Sequence, residues 1–163
     1  MLEQLQQVAD FIKREIQDEL VAQGHEATGR LKESISVEVT QAFDLISIDG
    51  RFVYYGRYVD QGRRAGVKRV PIDALLEWIK IKRLSAPGKT PRSLAFAIQT
   101  AIYKRGIPTD GDSRKKRFVS GTLERIEPDI SVKIQEIVSG YLEFEFYNMI
   151  ERTQRSFDNA QAA

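Results

Sequence analysis

The chain has 163 residues, 25 Lys+Arg against 23 Asp+Glu, a formal charge of +2 and 42% hydrophobic residues. That length suits one domain with a real apolar core, and the absence of cysteine excludes disulfides, thiol catalysis and thiolate metal sites. A single histidine, His25, argues against a His-based metal site or a Ser-His-Asp hydrolase, and no apolar run approaches the ~18–20 residues that span a bilayer.

Residues 2–23 predict an amphipathic helix, because Leu5, Val8, Phe11, Ile12, Ile16 and Leu20 recur at three- and four-residue steps. Gly24 follows as a left-handed C-cap. The polar face carries Glu3, Asp10, Glu15, Asp18 and Glu19. So acidic a face is unlike a signal or transit peptide, and unlike an anchor for anionic lipid. Residues 25–33 read as a polar connector with His25 exposed beside Glu26. Ile35, Val37 and Val39 then alternate with polar residues, which predicts a half-buried strand. A second strand is expected over 43–48, with Asp49-Gly50 as a hairpin turn. The stretch from 51 to 64 gathers Phe52, Tyr54, Tyr55 and Tyr58 and is compatible with a strand passing into a short helix.

Pro71 at the first helical position opens a helix whose apolar face is Ile72, Leu75, Leu76 and Ile79, closed by Lys80, Lys82 and Arg83. Thr90 as N-cap and Pro91 at N1 open another, with Leu94, Ala95, Ala97, Ile98, Ala101 and Ile102 on one face and Gly106 at its end. Residues 106–117 show no periodicity and read as a mobile loop. A short helical turn is expected from Phe118 to about Ile126. Glu127-Pro128 then opens a helix to about Thr153 through Ile130, Ile134, Ile137, Tyr141, Phe144 and Met149. The alternation over 141–147 after Gly140 keeps a strand open there. The fold expected is α+β: a small curved antiparallel sheet packed by several helices, with a long N-terminal helix and a helical C-terminal arm. Residues 1–120 form the body, 121–155 its extension and 156–163 a flexible tail.

The balanced total conceals segregation. Residues 1–56 carry a net −5, residues 57–117 a net +11 and residues 118–163 a net −4. A basic middle between acidic ends suits a polyanion, an acidic partner or the acidic arms of another copy; the alternative is that folding mixes these charges on a solvated surface. The basic clusters are Arg63, Arg64, Lys68 and Arg69, then Arg114, Lys115, Lys116 and Arg117. Tyr54, Tyr55 and Tyr58 adjoin the first cluster, so phosphate-neutralising cations and stackable rings are present together. No helix-turn-helix, zinc-finger or RNP signature accompanies them, and the alternative is that the tyrosines pack a sheet. Gly56 and Gly62 lack the Lys-Ser/Thr of a phosphate loop. Asp110 and Asp112 lack the bidentate Glu of a calcium loop, since Gly121 stands at position twelve. Nothing here calls for a cofactor or a metal.

The order of segments adds a resemblance. Thr28-Gly29-Arg30-Leu31-Lys32-Glu33-Ser34-Ile35 leads into the first strand, and Tyr55, Tyr58, Val59, Asp60 and Gly62 follow. Pro71, Ile72, Leu76 and Trp78 mark a Pro-led helix; Leu94, Ala95, Ala97, Ile98, Arg105, Gly106 and Ile107 mark the next. In these four motifs, over about residues 1–120, the chain resembles the neck and tail-completion proteins of tailed bacteriophages. Arg117-Phe118 departs from the Pro-Phe that often opens the last helix in that family.

The resemblance implies a non-enzymatic structural protein of the head–tail connector, without an active site or cofactor. It implies a homo-oligomeric ring in the virion, made in the host bacterial cytoplasm, that joins the portal side of the capsid to the tail around the DNA exit channel. The implied partners are further copies and the neighbouring connector, head-closure and tail proteins, with DNA near the channel and no membrane. In this reading Thr28, Gly29, Leu31, Tyr55, Tyr58, Asp60, Gly62, Pro71, Trp78 and Gly106 are structural. Asp60 and Gly62 shape the turn after the aromatic stretch, and Arg63, Arg64, Lys68, Arg69 and Arg114–Arg117 face the partners.

Overall fold

A computed structural model of the chain describes residues 1–25, 28–43, 45–107 and 117–161, the last five as backbone only. The order is α1 (Leu2–Ala22), α2 (Arg30–Ser34), β1 (Ser36–Ala42), β2 (Leu45–Arg51), α3 (Gly56–Gln61), α4 (Ile72–Ile81), α5 (Pro91–Arg105) and α6 (Ser120–Gln161). The architecture is α+β, with a two-stranded antiparallel sheet and a majority of helix.

Helix α1 buries Leu5, Val8, Ala9, Ile12, Ile16 and Leu20, the stripe expected from its spacing. Its C-terminus closes as anticipated at Gly24, whose N–H donates to the Val21 carbonyl while the His25 N–H donates to that of Leu20. That pair of bonds satisfies two carbonyls left over at a helix end. The expected connector 25–33 contains an unforeseen helix, α2, which drops Leu31 into the core.

The hairpin turns earlier than Asp49-Gly50. Glu38 pairs with Asp49 and Val37 with Gly50 inside the ladder, and the chain reverses between Ala42 and Leu45. The register explains the correction. Setting Val39 opposite Ile48 puts both on the face that packs against the core, whereas a turn at 49–50 would pair β2 with the segment after Gly50 and leave β1 without a partner. On the outer face Asp49 accepts from the hydroxyls of Thr40 and Ser47. Those bonds, Thr40 first, hold its carboxyl below the usual carboxylate range.

The chain around 52–62 resolves into turn and helix: Tyr54 and Tyr55 form the turn before α3. Pro71 precedes α4 as its N-cap rather than sitting at N1. In α5 Thr90 is the N-cap, accepting from the Ser93 N–H at 3.2 Å, with Pro91 at N1. The α4–α5 pair builds its own small core from Leu75, Ile79 and Ala95, with Leu94, Ile98 and Ile102 against it. Ala97 and Ala101, expected on that face, are exposed. Gln99 is buried instead and donates to the Val70 carbonyl at 2.7 Å, so its amide is satisfied inside.

The largest departure is α6. Instead of a turn, a break at Glu127-Pro128 and a second helix, one helix of 42 residues runs through Pro128. Residues 141–147 are helical, and the backbone stays helical through Gln161, into the stretch expected as a tail. A proline inside a helix removes one hydrogen bond and costs about 3 kcal/mol. Packing offsets it: Phe118, Thr122 and Ile126 are buried on one side of Pro128, and Ile130, Ile134 and Ile137 pack against the same core on the other. Arg125 pairs with Glu15 at 3.1 Å and Lys133 lies 5.7 Å from the Phe11 ring, so α6 runs antiparallel to α1. The ion pair is exposed and adds little; the isoleucines hold the two helices together.

Ile126 is 2% exposed and Val132 56% exposed on the same helix. Ile126→Ala is therefore expected to destabilise by about 2–5 kcal/mol in urea unfolding, and Val132→Ala by less than about 0.5 kcal/mol. Equal losses would mean that α6 does not pack as described.

Candidate functional site

The four motif segments, far apart in sequence, meet at one place. One of them carries Asp60, 3% exposed at the end of α3. Its Oδ1 accepts from the backbone N–H of Val119 at 2.8 Å and of Ser120 at 3.3 Å, and its Oδ2 from the Ser120 hydroxyl at 3.3 Å. The Asp60 carbonyl accepts from the Arg117 N–H at 2.8 Å. A carboxylate at a helix N-terminus satisfies donors that have no partner within the helix and meets the positive end of its dipole. Asp60 is thus the cap of α6, supplied from 59 positions upstream. Its expected part in the local turn is the smaller one.

Gly62 and Gly106 stand beside this cap. Both adopt φ near +74° with ψ near 180°: 74° and −165° at Gly62, 73° and −168° at Gly106. That region is essentially closed to side chains. Between them Arg63 and Ile107 form an antiparallel bridge, N–H to carbonyl both ways at 3.1 and 2.8 Å. A Cβ on Gly106 would stand 2.2 Å from the Arg63 carbonyl oxygen. The bridge needs that close approach. It ties the end of α5 to the end of α3, helped by the Gly66 N–H donating to the Tyr103 carbonyl at 2.8 Å.

Because α4–α5 has its own core and hangs on this bridge, a groove of about 850 Å³ opens between it and the body. Each motif contributes to its lining: Thr28, Gly29 and Leu31; Tyr55, Tyr58, Val59 and Gly62; Trp78; then Ile98 and Ile107. Ile81, Ile102 and Val70 add to the apolar lining, and among the described residues Arg30, Lys32, Arg63 and Lys82 line it with one acid, Glu77. Lys82 crosses it, its Nζ donating to the Gly24 carbonyl at 3.2 Å. His25, expected exposed, is half-buried and lines the groove. Sequence reading missed the groove; the one available signal was the apolar excess of α4, whose Trp78 and Ile81 remain 39% and 38% exposed.

The basic residues do not gather into one cluster. Arg63 is tied down by its backbone and its guanidinium lies 5.3 Å from the Tyr58 ring centroid; Arg57 lies 5.0 and 5.1 Å from Tyr54 and Tyr58. The two hydroxyls, Tyr54 Oη and Tyr58 Oη, are 3.1 Å apart, and this bond raises the Tyr58 pKa. Arg69 stacks on Tyr103 at 4.9 Å, while Arg64 and Lys68 project from the exposed segment between α3 and α4. Arg117 turns back on its own helix to Glu124 and the Ser120 hydroxyl. Arg114, Lys115 and Lys116, most of the 106–117 loop and the Asp110–Asp112 pair lie outside the described residues. Among the described residues no group of three or more His, Asp or Glu is arranged to hold a metal ion, and no helix is long and apolar enough to cross a membrane.

Removing the Asp60 carboxylate leaves buried N–H donors unmet. Asp60→Ala is expected to cost about 1–3 kcal/mol in urea unfolding. Asp60→Asn should lose less, because its amide oxygen still accepts from Val119. A loss below about 0.5 kcal/mol for Asp60→Ala would show that the cap does not constrain the fold.

No protein-family model, curated protein or solved structure matches the chain.

Proposed function

We propose that this chain is a structural subunit of the neck of a tailed bacteriophage, a non-enzymatic ring component joining the portal side of the head to the tail around the DNA exit channel. Its partners are further copies of itself and the connector, head-closure and tail proteins on either side, in a virion assembled within a bacterial host. The observation that carries the reading is convergence. Four short motifs that resemble the family, each weak alone, all contribute lining to one groove, and they also supply Asp60 of the cap and Ile107 of the bridge. Chance matches scattered over about 80 residues have no reason to meet in space. The groove and the basic rim also suit the dissimilar, head-to-tail surfaces from which rings close.

Particles made from a genome with a stop codon in this gene are expected to accumulate as filled heads separate from tails. Supplying the chain in trans should restore joined, infectious particles. Normal joining without it removes the reading.

The cluster of exposed Tyr54 and Arg57 with half-buried Tyr58 and Arg63 favours a second reading, contact with nucleic acid. The guanidinium groups already cover the tyrosine faces, so phosphate contact fits better than base stacking. That reading expects DNA binding at low ionic strength with a log–log salt slope that falls by about 1–2 in the Arg63→Ala/Arg64→Ala double variant. An unchanged slope, or no binding at low salt, eliminates it.

A further inference from the structure

The part of the molecule that the motif resemblance does not reach is the far half of α6. Ile137 is the last residue of α6 in the main core, and it borders a shallow surface groove shared with Gln4 and Val8 near the start of α1. Beyond it α6 continues to Gln161, so at 1.5 Å per residue it outruns α1 by roughly 30 Å. The first half of this overhang, residues 138–150, is apolar on most sides, whereas 151–161 is largely polar. Leu142, Phe144, Phe146, Tyr147 and Met149 are 55–68% exposed, though side chains of this type usually mark an interior or an interface. Leu142, Phe146 and Met149 share one face at i, i+4 and i+7, the spacing of helix-in-groove anchors. Within 138–150 the charges are Glu143 and Glu145, both negative, while Glu151 further on pairs with Arg155 at 3.1 Å.

The complementary surface lies on the same chain. The groove is apolar, and among the described residues its lining includes four cationic residues, Arg30, Lys32, Arg63 and Lys82, against one acid, Glu77, with Lys32 and Lys82 also engaged within their own chain. Its volume of about 850 Å³ lies within the ~300–1,000 Å³ of pockets that enclose several apolar groups. The overhang cannot reach it within one molecule. The groove is lined by Leu20 and Gly24 at the C-terminal end of α1, whereas the rigid overhang projects past the N-terminal end.

We propose that the C-terminal half of α6 is an assembly arm that seats in the groove of a second copy, its acidic positions meeting the basic rim. Arm and groove lie at opposite ends, so the contact is heterologous: each copy gives an arm to one neighbour and accepts one from another. Such a contact propagates into a ring or a filament instead of stopping at a two-fold dimer. The proposal deepens the neck reading by naming the contact between copies, and it rests on that reading only for closure into a ring.

The chain has no cysteine, which makes the test direct. Ala74 lines the groove on the exposed side of α4 and Leu142 is 60% exposed on the arm. Mixing full-length Ala74→Cys with full-length Leu142→Cys under mild oxidation is expected to give the mixed disulfide well above either homodimer. Leu142→Glu/Phe146→Glu should weaken self-association in sedimentation by roughly tenfold or more, as loss of buried anchors does, with unchanged helix content and urea midpoint. Ala74→Glu should do the same, and mixing the two variants should restore pairs, because each retains one intact half.

A Leu142→Cys homodisulfide without the mixed product would mean that arms pair with arms, and overturns the proposal. A wild-type chain that stays monomeric up to about 100 μM also overturns it, as does association that survives both variants. Only that last outcome keeps a self-assembling ring, by another face. Arm-dependent binding to phosphatidylcholine vesicles without cross-linking would assign the arm to lipid and likewise overturn it. Normal head–tail joining without the gene, beside a positive cross-link, would remove the neck reading and leave the contact standing.

Discussion

A buried carboxylate holds this structure in register. Asp60 lies near the end of a short helix; its Oδ1 and its own carbonyl collect N–H groups of the segment that opens α6, and its Oδ2 accepts from the Ser120 hydroxyl. The long helix could lie along α1 at any of several offsets, since isoleucines spaced by three and four present similar ridges every turn. A cap bonds only at the helix N-terminus. Fixing that end to α3 fixes which isoleucines meet α1, brings fully buried Phe118 edge-on to Phe52 at 6.1 Å, and sets how far the helix runs on beyond its support. Burying an ionised group is costly unless it is fully hydrogen-bonded, and here the helix end itself supplies the donors.

The second constraint is backbone geometry where α3 and α5 end. Gly62 and Gly106 share a conformation that side chains cannot take, and the Arg63–Ile107 bridge lies between them. Two backbones at bridge distance leave no room for a Cβ at position 106. The α4–α5 pair is held at this seam, by Lys82 at the far side and by the Arg69–Tyr103 stack, and its buried apolar residues form a cluster separate from the main core. The groove is the result of that economy. A hairpin with a private core has no need to collapse onto the main one, so apolar side chains from both sides stay partly open to solvent. Arm and groove are then two forms of one condition, apolar surface that a single chain leaves uncovered.

Much of this was legible locally. The stripe of α1, the glycine closing it, the Thr90-Pro91 start of α5 and the strand alternation at 35–39 are short-range patterns, and each stands where its spacing placed it. The misreadings share a cause. Asp49-Gly50 is a strong turn signal, but Val39 had to face Ile48, and register overrode it. Glu127-Pro128 resembles a fresh helix start, yet isoleucines on both sides packed on α1 carry the helix through. Over 141–147 the expected helix stands and the strand that alternation kept open does not; seven residues alone cannot distinguish the two.

The amino-acid sequence alone determined the element types with strong period or capping chemistry, the α+β class and the segregation of charge, because these depend on neighbours within a turn or two. It also supplied the four ordered motifs on which the proposed function rests. Tertiary structure alone decided that Asp60 caps a helix 59 positions away, that Gly106 admits the Arg63 backbone, and that motif residues line one groove. It decided, too, that the apolar end of α6 has nothing among the described residues of its own chain to lie against. Each of these is a meeting of residues distant in sequence, and no local pattern encodes which distant groups will meet until packing has brought them together.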